Sequence, residues 1–72
     1  MKIFVIDFKN KSFVYQGFLE ANNSGQVLNW FAENCPAKSK LIKITEASKK
    51  PEEILHMNEI LENLGKVGAT KD

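Results

Sequence analysis

The chain has 72 residues, 43% hydrophobic and 26% charged, with a formal net charge of +1. Such a chain is too short for two cores, too apolar for disorder and too balanced in charge for a broad basic field. All ten basic residues are lysine, so the planar fork that arginine offers to guanine edges and phosphates is missing.

An A·T-rich coding sequence accounts for the lysines and the seven asparagines without any functional demand. A single core of this size supplies a net stability of only about 3–5 kcal/mol. Cys35 is the one cysteine, which excludes an internal disulfide and fits a reducing compartment. No apolar run approaches membrane length, and Asp7 and Lys9 end the first one well short of a signal-peptide core. A cytoplasmic location is expected.

Residues 2–8 read as a strand that is apolar on both sides, with Phe4, Ile6 and Phe8 pointing one way and Ile3 and Val5 the other. That composition suits the middle of a sheet. Lys9-Asn10-Lys11-Ser12 is a polar turn into a second strand. A loop centred on Asn10 and Lys11 sets Phe8 opposite Phe13, Ile6 opposite Tyr15 and Phe4 opposite Gly17, and leaves Ile3, Val5, Asp7, Val14, Gln16 and Phe18 on the other side.

Asn23 and Gln26 have the spacing of a capping box at the start of a helix, which ends at Cys35 because Pro36 follows. Val27, Leu28, Phe31, Ala32 and Cys35 form its apolar stripe, with Trp30 on the margin. Residues 40–45 alternate and are rich in β-branched side chains, a third strand with Ile42 and Ile44 inward. Pro51, followed by Glu52 and Glu53, predicts a second helix that runs to Leu64 and stops at Gly65, with Ile54, Met57, Leu61 and Leu64 as its seam.

The fold class is therefore α+β, in the order β-β-α-β-α. A right-handed crossover places the third strand beside the first, giving a three-stranded antiparallel-type sheet of order 2-1-3 with both helices on one face. Residues 1–65 form the domain and residues 66–72 a flexible tail.

Candidate chemistry is sparse. Cys35 and His56 are the only soft nucleophile and the only imidazole, but Cys35 falls at a helix C-terminus, where the dipole opposes a thiolate, and on the apolar stripe. His56 projects off the second helix's seam toward solvent. One cysteine and one histidine make no closed metal site, so no metal and no cofactor are expected. Glu52, Glu53, Glu59 and Glu62 scatter around a helix rather than converge as catalytic acids. Gly65-Lys66-Val67-Gly68 follows a helix instead of joining a strand to one, unlike a phosphate loop. Trp30 reads better as a rim of the core than as an exposed anchor, and Leu55 lies off the second helix's seam without explanation.

The remaining signal is the second sheet face, where Ile3, Val5, Val14, Phe18 and Leu41 are interspersed with Asp7, Gln16, Lys43 and Thr45. If the second helix crosses to that side, the core closes in three layers; otherwise the face is a docking or dimer surface. Sealing of Ile3, Val5 and Phe18 inside the monomer would remove the case for docking. The reading carried forward is a non-enzymatic protein-binding module that acts by occupying a partner's surface, with Ile3, Val5, Val14, Phe18, Trp30, Leu41 and Lys43 as contacts. In size, arginine-free composition and layout, the chain resembles the small inhibitors and regulators carried by phages and other mobile elements, which act by binding alone. The alternative is a single-stranded nucleic-acid binder that stacks bases on Phe4, Phe8, Phe13 or Tyr15 and holds phosphates with Lys9, Lys11, Lys40 and Lys43.

Overall fold

The computed structural model describes the backbone of residues 1–71 and the side chains of residues 1–64. The elements are β1 (Lys2–Asn10), β2 (Phe13–Ala21), α1 (Ser24–Asn34), β3 (Ser39–Ala47) and α2 (Met57–Lys71). The sheet has the order β2-β1-β3, and both pairings are antiparallel. The doubly apolar strand is the central one, as its composition requires.

The hairpin register differs from the expected one by two residues. Asn10 pairs with Phe13, Phe8 with Tyr15, Ile6 with Gly17 and Phe4 with Leu19. The loop is Lys11-Ser12, and Lys11 takes a left-handed φ of 58°, the positive dihedral that tight hairpin turns need at their first position. A slip of two keeps every side chain on its face, so the division into two faces holds.

Asn10, at the end of β1, is buried, and its Nδ2 donates to Ser39 Oγ at 3.1 Å. A polar side chain at 7% exposure is thereby satisfied, and the start of β3 is tied to the central strand.

Both helices lie on the face formed by Phe4, Ile6, Phe8 and Leu19. Val27 and Phe31 of α1 and Met57 and Ile60 of α2 join those residues in one buried cluster. Phe8 is fully buried; its ring stacks on Tyr15 at 5.5 Å and meets Phe31 edge-on at 5.7 Å. Gly17 lets α2 approach β2 closely, because a Cβ there would sit 2.6 Å from both Ile60 Cδ1 and Met57 Sδ.

At the start of α1, Asn23 Oδ1 accepts from the Gln26 N–H at 2.9 Å, and Gln26 Oε1 accepts from the Asn22 N–H at 2.8 Å. This is the expected cap with the glutamine reaching one residue further back. The helix ends at Cys35, which turns extended (ψ 147°) ahead of Pro36. The buried stripe is rotated toward Trp30: Trp30 and Cys35 pack against the core, whereas Leu28 and Ala32 are exposed.

The second helix begins six residues later than expected, at Met57 rather than Pro51. Residues 51–55 instead run beside the outer edge of β2. There the Phe18 N–H donates to the Leu55 carbonyl at 3.0 Å, and His56 forms a short parallel bridge with Phe18. An edge amide beside a buried ring requires a partner, and that requirement overrides the Pro-Glu-Glu start signal. Leu55 is thus an exposed residue of this strap and not a misplaced helix residue. The α2 backbone continues past Gly65 to Lys71. The expected tail over 66–72 falls on residues whose side chains lie outside those described.

β3 contains a bulge. Lys43 pairs with Asp7 and Leu41 with Phe8, which leaves Ile42 as the extra residue. The expectation for this strand is therefore corrected: Ile44 packs on the core beside Leu41, while Ile42 is 55% exposed.

Candidate functional site

The helix-free face follows from the pleat. Alternation places the odd-numbered residues of β1 there, and the register adds their partners. Its four rows are Val14-Lys9-Lys40, Gln16-Asp7-Lys43, Phe18-Val5-Thr45 and Glu20-Ile3-Ala47. Among the described residues, neither helix packs on it.

The seven residues expected to contact a partner are dispersed by the structure. Ile3, Val5, Val14 and Lys43 do share the helix-free face. Ile3 and Val5 are half-buried, Lys43 is exposed and Val14 is 66% exposed. Phe18 also belongs to this face, but it is sealed at 4% exposure. Its cover is the segment after β3: the His56 ring lies edge-on at 5.0 Å and the Lys50 ammonium sits 5.5 Å from the ring centroid. Leu41 is on the opposite side, because the bulge at Ile42 turns it onto the core. Trp30 is half-buried against the core on α1, the rim position that its helical spacing favoured.

The remaining candidates take ordinary structural roles. His56 is not a solvated side chain: its Nδ1 accepts from the Asn58 N–H at 3.0 Å, capping α2, and its ring covers Phe18. Burial pushes the Cys35 thiol up from 9.0 to about 11, so it stays protonated and unreactive at neutral pH. Among the described residues, no three histidine, cysteine or acidic side chains come together as a metal site would require. None of their helices is long and apolar enough to cross a membrane.

The aromatic platform of the nucleic-acid reading is largely consumed by the core. Phe4 and Phe8 are buried and Tyr15 is stacked on Phe8, leaving only Phe13 exposed, at 65%. Its alternation with Tyr15 places it on the helix-bearing side of the sheet.

Sequence reasoning missed the strap over Phe18. Beside it lies an open cleft of about 750 Å³ lined by Phe18, Glu20, Lys50, Glu52, His56 and Glu59, among others. Charges of both signs face it, and His56 Nδ1 is already committed to the helix cap. No family model, curated protein or solved structure matches this chain.

Proposed function

We propose that the chain is a non-enzymatic protein-binding module that works by occupying a partner's surface with its helix-free sheet face. The observation that supports this most is the placement of both helices on one side, which leaves Ile3 and Val5 of the central strand half-buried and Val14 exposed beside them. A solvated sheet face normally carries more polar side chains at its centre. An inhibitor or regulator of other machinery needs nothing further, since binding alone blocks a surface.

The test is affinity capture from a lysate of the source organism, with the wild type and Val14→Asp run side by side and bound proteins read by mass spectrometry. Val14 is 66% exposed, so the substitution spares the core. The expected result is a protein retained by the wild type and lost by the variant. Equal retention by both, or nothing above background with the wild type, overturns the proposal.

A further inference from the structure

The hairpin end of the helix-free face is rich in lysine, with Asp7 as the one carboxylate in its two rows. Lys9 lies directly across from Lys40, and Lys43 follows in the next row, across from Asp7. Lys11 stands in the turn and Lys38 in the loop before β3, and all five lysines are exposed. Among the described residues none of the five is ion-paired, and the Lys2–Glu46 pair, at 3.8 Å, is at the opposite end of the sheet. The other strand carboxylates, Glu20 and Glu46, are at that far end as well.

Like charges directly opposite one another destabilise a sheet, so Lys9 facing Lys40 costs the free protein stability that an anionic group laid between them would return. Beside these lysines, Val14 and Val5 supply apolar contact on the same face. Four rows span about 20 Å along the strands and three strands about 10 Å across. That length matches about six residues of an extended segment. Nucleic acid is disfavoured, since the rings are buried or on the other side and arginine is absent.

Resting on the protein-binding reading above, we infer that this end of the face takes an extended acidic segment of a partner protein. Its carboxylates meet Lys9, Lys40 and Lys43, and its apolar side chains lie toward Val14 and Val5.

The experiment is an amide NMR titration of the full chain at low salt with a short peptide alternating Glu and Val. A Lys–Val peptide and an oligo(dT) of matched negative charge serve as comparators. The Glu–Val peptide is expected to shift the amides of Lys9, Val14, Lys40 and Lys43, and to weaken with added salt. Its affinity falls about tenfold in Lys9→Gln/Lys40→Gln. Lys40→Glu alone is expected to melt a few degrees higher than the wild type while binding worse, which a lysine needed only for folding would not do. Absence of those shifts, unchanged affinity in the double variant, or tighter binding of oligo(dT) than of the Glu–Val peptide overturns the inference. In the capture experiment, a partner lost by Val14→Asp but kept by Lys9→Gln/Lys40→Gln overturns the acidic-segment inference alone. One kept by both variants overturns the protein-binding reading too.

Discussion

The two sides of β1 are built from similar residues and meet different fates. Phe4, Ile6 and Phe8 are at most 4% exposed beneath two helices, whereas Ile3 and Val5, one residue along, remain half-buried on the bare side. Hydrophobicity does not separate the two sets. The difference is how much chain remains to cover them: two helices suffice for one side of a three-stranded sheet, and the short strap after β3 lies along the β2 edge, beside Gln16, Phe18 and Glu20. Apolar character along a strand thus reports its place in the middle of the sheet, while coverage is decided by the rest of the chain.

Substitutions on the two sides sharpen this contrast. The largest effect is expected at Phe8, which is fully buried between Tyr15 and Phe31. Phe8→Ala should cost about 3–5 kcal/mol, comparable to the whole stability of a domain this size, so chemical denaturation should show most molecules unfolded without denaturant. His56→Ala comes next, because it removes both the cap of α2 and the edge-on cover of Phe18. A loss of about 1–2 kcal/mol is expected, with faster hydrogen exchange at the Phe18 amide as the strap loosens. Val14→Thr is the smallest, within about 0.5 kcal/mol; a loss above 2 kcal/mol would mean that the bare side is covered after all.

Strand order, the placement of both helices on one side and the start of α1 were legible in the sequence, since each rests on a local pattern: the doubly apolar strand, the crossover rule and the Asn23–Gln26 spacing. The errors share a cause. A bulge at Ile42 leaves no mark in an alternating strand, yet it moves Leu41 from one face to the other. Pro51-Glu52-Glu53 is a sound local signal for a helix start, but the amide of Phe18, far away in sequence, claims the Leu55 carbonyl and delays the helix to Met57. His56 departs from its expected place for the same reason, since it precedes the helix on which the spacing would set its angle. At the candidate site, Ile3, Val5, Val14 and Lys43 were legible because alternation alone places them, whereas Phe18 depended on long-range contacts.

The two margins of the sheet are finished by different devices: the Leu55–His56 strap closes β2, and the bulge at Ile42 breaks the regular run of β3. A flat, regular margin would invite identical molecules to line up strand against strand and grow into fibrils. With one margin interrupted at Phe18 and the other kinked at Ile42, such growth has no long straight template at either side. Expressed at high concentration, the chain should remain dispersed rather than polymerise.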